Sequence, residues 1–240
     1  MATSSPKSIY LRGIVDSLPF LLVVIPFALL FGVVAVEAGL RLPEIMGFSV
    51  LVIAGAAQLA ALQLMRDDAP TLIILATALA INLRMAMYSA AITPYLGQAK
   101  LWQRALIAYF LVDQSYVQAH AKYEAEPDMP LSARLAYFAG VVTPVAPAWY
   151  AASLAGALVG KSIPPQFALD FGLPITFLAM TAPMLRTIPH LAAAVTSVTM
   201  ALLLAWMPYG TGLLLAAVAA MLVGAEAERR LTLRRKGAAK

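Results

Sequence analysis

The stretch PTLIILATALAINLRMAMYSAAITPYL, from Pro70 to Leu96, contains a single charged residue, Arg84. A run of about 20 apolar residues is long enough to cross a bilayer as a helix. An arginine near the centre of such a span costs about 2.5 to 3.5 kcal/mol on insertion scales, so it should face protein or a water-filled cavity. We therefore predict that Asn82-Leu83-Arg84 breaks this helix and belongs to a functional site.

Composition extends the membrane prediction to the whole chain. Apolar residues make up 62% of the 240 positions and charged residues 12%, whereas ordinary soluble domains have about 25% charged residues. The chain has no cysteine, which excludes disulfides, thiolate metal sites and cysteine nucleophiles. These features predict an all-α polytopic membrane protein.

Hydropathy predicts about eight transmembrane helices, and seven are possible because the last candidate is short. The candidates are Leu18 to Val36, Ile45 to Met65, Pro70 to Leu96, Trp102 to Tyr123, Leu135 to Gly160, Phe167 to Leu185, Ile188 to Met207 and Tyr209 to Ala225. The polar connections between them are too short to bury a core of their own. Residues 1–240 are therefore predicted to form a single transmembrane domain.

Positive charge is concentrated on the side of the membrane that holds both termini. This bias predicts a cytoplasmic N-terminal segment, 1–17, and a basic cytoplasmic tail, 226–240. The tail accounts for most of the net charge of +5 and is attracted to anionic lipid headgroups, so it is no evidence for a nucleic-acid partner. We expect a multi-pass protein of the plasma or inner membrane.

The fourth candidate span carries a polar face. Tyr109, Asp113, Tyr116 and His120 recur at helical spacing. A carboxylate in the middle of a span must be paired or protonated, and such groups are often functional. Asp113 is therefore predicted either to pair with Arg84 in a structural role or to act in the function of the protein.

Small residues mark two faces where helices can touch. One surrounds Gln58 and includes Gly55, and the other comprises Ala152, Gly156 and Gly160 at intervals of four residues. Small residues let helix backbones approach closely in lipid. These faces are predicted to pack either within the chain or against a partner.

Motifs of enzymes are absent from the sequence. The two histidines, His120 and His190, are far apart, so there is no H-E-x-x-H pair, and there is no G-x-S-x-G elbow or phosphate-binding glycine loop. Every lysine falls in a predicted loop, at a terminus or at the end of a predicted span, which disfavours a retinal-type Schiff base. The sequence thus predicts no enzyme activity, no cofactor and no metal site.

Several elements together resemble the AzlC family. They are Ser49, Ala54-Gly55-Ala56-Ala57-Gln58, Asn82-Leu83-Arg84, Asp113, and Leu169-Asp170-Phe171-Gly172-Leu173-Pro174 with Phe177. The resemblance extends from about Gly13 to about Gly224 and departs from the family at Met85, which is often histidine, and at Gln114, which is often acidic. It implies a permease that is the large subunit of a two-component branched-chain amino acid exporter, with a small AzlD-type membrane subunit as partner.

Residue chemistry and resemblance together predict a carrier that moves valine, leucine, isoleucine or methionine outward by alternating access. The substrate carboxylate is expected to meet Arg84 with Asn82, because a guanidinium binds carboxylates in a bidentate manner. The ammonium is expected to meet Asp113 or Gln58, and Asp113 to carry the coupling proton. Two alternatives stay open: a channel-like pore for small solutes or ions, and a structural subunit that does not transport.

Overall fold

The computed structural model describes residues 6–160, 185, 187–208 and 211–238, which form helices and contain no strand. The helices are α1 Pro6–Ser17, α2 Leu21–Glu37, α3 Leu42–Val52, α4 Gly55–Arg66, α5 Thr71–Leu96, α6 Leu101–Tyr109, α7 Asp113–Ala125, α8 Leu131–Gly160, α9 Ile188–Leu203 and α10 Thr211–Ala238. A 3-10 turn at Leu18–Phe20 joins α1 to α2. The predicted all-α membrane class is confirmed.

Four elements within the described residues are long and apolar enough to cross a membrane. They are Pro6–Glu37, Thr71–Leu96, Leu131–Gly160 and Thr211–Leu233, while α3 and α9 are shorter apolar helices. The four match the predicted first, third, fifth and last spans. The segment predicted as N-terminal and cytoplasmic, 1–17, is helical from Pro6 into the first span, and the predicted tail continues α10 to Ala238. The predicted sixth span lies outside the described residues except for Leu185.

The break predicted at Asn82-Leu83-Arg84 is wrong, because α5 runs without interruption from Thr71 to Leu96. Leucine and arginine are good helix formers, and asparagine costs less than about 0.7 kcal/mol in a helix. The interruptions lie instead in the predicted second and fourth spans. Ile53 adopts a left-handed φ of 41° after α3, and Val112 is extended before α7.

The chain divides into two compact units. The first contains Met1–Leu62 and Ile81–Phe167, and the second contains Gln63–Ala80 and Ala168–Lys240. Every residue that the sequence nominated for a site lies in the first unit, so the site can be described within that unit alone.

The first unit is built on α8, which packs along α1 and α2 and also contacts α3 and α7. Gly140 of α8 lies against the backbone of Tyr10 and Gly13, and Gly156 lies against the backbone of Leu29. A Cβ added to Gly156 would come within 2.8 Å of the Leu29 carbonyl carbon. Glycine at these positions allows the close backbone approach that stabilises helix pairs in lipid.

In the second unit, α9 packs against α10. Gly224 of α10 lies beside Ala193, to whose Cβ an added Cβ would come within 3.2 Å. On α10 the carboxylate of Glu226 pairs with Arg229 at 2.8 Å and Arg230 at 2.7 Å. Part of the positive charge predicted for the tail is therefore balanced locally.

Candidate functional site

Arg84 and Asp113 form an ion pair between α5 and α7. The Nη1 atom of Arg84 lies 2.9 Å from Oδ2 of Asp113, and the two side chains are 30% and 38% exposed. Arginine carries its charge at any physiological pH, so within a membrane span it needs a counter-charge. The contact is the pairing that the sequence left open as one of two alternatives for Asp113.

Two tyrosines complete the surroundings of this pair. The hydroxyl of Tyr88 donates to Oδ1 of Asp113 at 2.8 Å, and its ring stacks on Tyr116 with centroids 4.2 Å apart and planes inclined by 9°. Arg84, Tyr88, Asp113 and Tyr116 are called the ion-pair cluster below. Because Asp113 is the first residue of α7, its carboxylate lies at the positive end of the helix dipole.

Ser115 holds the interruption that places Asp113 at a helix N-terminus. Its buried hydroxyl oxygen accepts from the backbone N–H of Val112 at 2.9 Å, and the hydroxyl itself lies 2.6 Å from the Phe110 carbonyl oxygen. These bonds add to the 3.0 Å bond from the Val112 N–H to the Phe110 carbonyl, so the backbone at the interruption is hydrogen-bonded, as membrane-embedded backbone requires. The interruption is thus a defined structure that fixes the direction of Asp113.

A second interruption lies between α3 and α4, at Ile53 and Ala54. Gln58 is fully buried, and its Oε1 accepts from the backbone N–H of Ala54 at 3.2 Å. Its Nε2 is also buried and has no hydrogen-bond partner among the described residues. The Ser49 hydroxyl donates to that of Ser153 at 3.0 Å, which ties the end of α3 to α8.

Tyr109 connects the two interruptions. Its hydroxyl donates to the Val50 carbonyl in the last turn of α3. The hydroxyl oxygen of Tyr150 on α8 lies 2.9 Å from the hydroxyl oxygen of Tyr109. Tyr150 is the donor in this bond, because the Tyr109 hydroxyl proton is already donated to the Val50 carbonyl. The last residue of α6 is therefore bonded to both α3 and α8.

A line of aromatic and titratable side chains continues from the ion-pair cluster along α7. The ring of Tyr116 lies 5.2 Å from that of His120, which also packs edge-on against Tyr95 at 5.7 Å. The Nδ1 atom of His120 lies 3.5 Å from Oε2 of Glu124, whose side chain is 61% exposed. Asp113, Tyr116 and His120 share α7 as predicted, while Tyr109 belongs to α6.

The structure brings together only part of the predicted substrate set. Arg84 and Asp113 are bonded, whereas among the described residues no hydrogen bond or ion pair joins Asn82 or Gln58 to them. Asn82 is two residues from Arg84 on a continuous helix, so the two side chains point to different faces. The Oδ1 atom of Asn82 and Nε of Arg84 are both buried without a partner in this part of the chain.

The predicted packing residues contact other helices of the same unit. Gly156 and Gly160 lie against Leu29 and Val33 of α2, and Ala152 on the same face of α8 is buried. A Cβ added to Gly55 would come within 2.6 Å of Cη2 of Trp149. The sequence left two roles open for these faces, and the contacts described above are packing contacts within the chain.

Sequence reasoning missed Tyr88, Ser115 and Trp149. Tyr88 follows Arg84 by four residues, and helical spacing alone could have placed both on one face. Nothing in the sequence indicated Ser115 or Trp149, because their roles depend on interruptions that the sequence did not reveal. Within the described ranges, no group of three or more His, Cys, Asp and Glu side chains could hold a metal ion.

Comparison with known proteins agrees with this architecture. A family model described as AzlC protein matches residues 19–163, which is more than half of the chain and includes both interruptions and the ion-pair cluster. An uncharacterized membrane protein of Archaeoglobus fulgidus is 29% identical over 206 residues, covering 84% of this chain and 87% of that protein. No solved structure matches the chain significantly. The family match over this length shows that the chain is a membrane protein belonging to the AzlC family.

Proposed function

We propose that the protein is an exporter of small apolar amino acids such as valine, leucine, isoleucine or methionine. The observation that carries this proposal is the Arg84–Asp113 ion pair, which joins an uninterrupted apolar helix to the first residue of a helix that starts inside a predicted span. Interrupted helices and ionisable side chains are the features by which transporters bind substrates and ions within the membrane.

Asp113 is the proposed site of proton coupling. While its carboxylate is ionised, Arg84 and Tyr88 both bond to it and hold α5 against α7. Protonation would remove the charge that Arg84 pairs with, so this contact would weaken and the two helices could separate. Alternating access would then follow the protonation state of one carboxyl group.

The proposed substrate site uses Arg84, Asn82, Gln58 and Asp113. A zwitterionic amino acid needs hydrogen-bond donors for its carboxylate, acceptors for its ammonium and apolar walls for its side chain. Buried atoms that have no partner among the described residues supply both kinds of polar group, with Gln58 Nε2 as a donor and Asn82 Oδ1 as an acceptor. A buried polar atom without a partner costs free energy, and a bound ligand can relieve that cost.

We propose that the chain is the large subunit of a two-component permease and works with a small AzlD-type membrane subunit. The resemblance in sequence supports that partner. The proposed location is the plasma or inner membrane with both termini in the cytoplasm, since lysine and arginine are concentrated on the side that holds the termini.

Counterflow of labelled L-valine in proteoliposomes, with and without the small subunit, tests this proposal. We expect saturable, stereoselective exchange that depends on the small subunit. Flux that does not saturate and does not distinguish L- from D-valine would instead support a channel. Absence of flux from the complex, in vesicles where it is correctly inserted, would contradict the transport proposal.

A further inference from the structure

We infer that the interruption between α3 and α4 binds a carboxylate, which is that of the transported amino acid. This inference rests on the proposed transport function and makes its substrate site more specific. It places the substrate carboxylate at the start of α4, whereas the sequence analysis placed it at Arg84.

The free amide atom of Gln58 indicates that the ligand carries a negative charge. The backbone N–H of Ala54 can only donate, so the amide atom facing it at 3.2 Å must be the oxygen, Oε1. The atom left over is Nε2, which can only donate and which is buried with no partner among the described residues. Both atoms are bonded to the same carbon, so Nε2 also lies at the start of α4. A free donor at this place recognises an acceptor such as a carboxylate and not an ammonium group.

The backbone at the start of α4 supplies further donors. α4 has 12 residues, and its first amide N–H groups, from Gly55 to Ala57, have no carbonyl acceptor within the helix. The dipole of the helix adds a partial positive charge at this end, which favours bound anions. Gly55 and Ala56 are only half-buried, whereas Ala57 and Gln58 are buried, so a small ligand would approach from the side of Gly55 and Ala56.

Aromatic rings form an apolar wall beside these donors. The absence of a side chain on Gly55 allows the rings of Phe27 and Trp149 to lie against it. Trp149 also packs on Phe31 with ring centroids 6.2 Å apart, and its buried Nε1 has no partner in the described part of the chain. Exclusion of water by such rings strengthens hydrogen bonds to a bound carboxylate. The same rings suit a branched apolar side chain.

The guanidinium of Arg84 is already engaged in this structure. Its Nη1 holds the carboxylate of Asp113 at 2.9 Å, so a substrate carboxylate that bound this nitrogen would have to displace a tethered group that has a high effective concentration. The structure therefore favours anchoring of the substrate carboxylate at the start of α4 and coupling in the ion-pair cluster.

Gln58→Glu tests the site without removing the acceptor for Ala54. Glutamate keeps an oxygen for the Ala54 N–H, but it replaces the amide donor with a negatively charged acceptor. Gln103→Glu is the matched control, because Oε1 of Gln103 accepts from the backbone N–H of Lys100 at 3.0 Å at the exposed start of α6. In L-valine counterflow by the complete complex, we expect Gln58→Glu to raise KM by about tenfold or more, since a hydrogen bond to a charged group is lost, and the control to match the wild type.

Substrate analogues test the same assignment in the wild type. We expect 3-methylbutanoate, which has a carboxylate but no ammonium, to compete with L-valine, and valinamide, which lacks the carboxylate, to compete poorly. Gln58→Glu should abolish competition by 3-methylbutanoate. Gln58→Met, which lacks the donor but adds no charge, should raise the KM for L-valine less than Gln58→Glu, and it carries the test if the glutamate variant does not fold.

The possible results distinguish failure of the carboxylate site from failure of the transport proposal. Saturable L-valine flux in the wild type, with an unchanged KM in folded Gln58→Glu and Gln58→Met, would overturn the carboxylate site and leave the transport proposal intact. Valinamide that competes as well as L-valine itself would also overturn the site alone. Absence of saturable L-valine flux in the wild type would overturn the transport proposal and this inference with it.

Discussion

The hydroxyl of Tyr109 donates to the carbonyl of Val50, so the end of α6 is fixed to the last turn of α3. Val50 lies just before the interruption at Ile53, and Tyr109 lies just before the interruption that leads to Asp113. One hydrogen bond thus connects the segment that carries the proposed proton site with the segment that carries the proposed carboxylate site. Movement at one proposed site can therefore be transmitted to the other through this bond.

Arg84→Lys should lower export by about tenfold or more while membrane insertion and abundance stay normal. Lysine keeps the positive charge but lacks the planar fork that binds a carboxylate in a fixed geometry. Initial rates of L-valine export from loaded vesicles measure the effect. Arg104→Lys, an exposed position on α6, is the matched control, and export near the wild-type rate in Arg84→Lys would remove the ion pair from the mechanism.

Asp113→Asn should abolish export driven by a pH gradient and leave L-valine counterflow measurable. Asparagine retains an oxygen that can accept from Tyr88, but it cannot bind and release a proton at physiological pH. The ratio of gradient-driven export to counterflow is the quantity to compare with Asp128→Asn, which changes an exposed carboxylate. Loss of both activities in a folded variant would favour a role in substrate binding, and intact gradient-driven export would exclude Asp113 from coupling.

The Arg84–Asp113 pair could be predicted from the sequence because a charge within an apolar span needs a partner. The positions of the two helix interruptions could not be predicted from the sequence. Ile53 is apolar and β-branched, and such residues rarely adopt a left-handed conformation, so the run around it reads as continuous helix. The turn at 110–112 is also apolar and depends on bonds from Ser115. Conversely, Asn82-Leu83-Arg84 looked like a break only because it is polar, and polarity alone does not end a helix.

The end of the substrate that each residue binds could not be predicted from the sequence either. Gln58 was nominated from the sequence, but which of its amide atoms is free depends on the bond to Ala54, and that bond exists only because α4 starts at Gly55. The sequence therefore indicated which residues matter around Gln58 and Arg84. Their partners, and hence the end of the substrate that each can bind, required the structure.

Gly156→Ala should destabilise the chain itself. The added Cβ would meet the backbone of Leu29, including its Cα at 2.9 Å, and backbone cannot move aside as a flexible side chain can. Overpacking of this kind costs about 1 to 3 kcal/mol. Gly47→Ala is the matched control, because a Cβ there meets no atom of the described residues within 4 Å. Thermal unfolding in detergent should show a lower Tm for Gly156→Ala only, and selective loss of the small subunit at unchanged Tm would instead indicate an interface with that subunit.

Tyr109→Phe should separate coupling from substrate exchange. Phenylalanine keeps the ring and its edge-on contact with Phe110, whose centroid is 4.6 Å away, but it cannot donate to Val50 or accept from Tyr150. We expect gradient-driven export to fall several-fold relative to counterflow, because the segment that carries Asp113 is no longer bonded to the segment that carries Gln58. Adding Tyr150→Phe to this variant should have little further effect, since the two hydroxyls act through one shared bond. An unchanged ratio of export to counterflow in Tyr109→Phe would show that the two interruptions work independently.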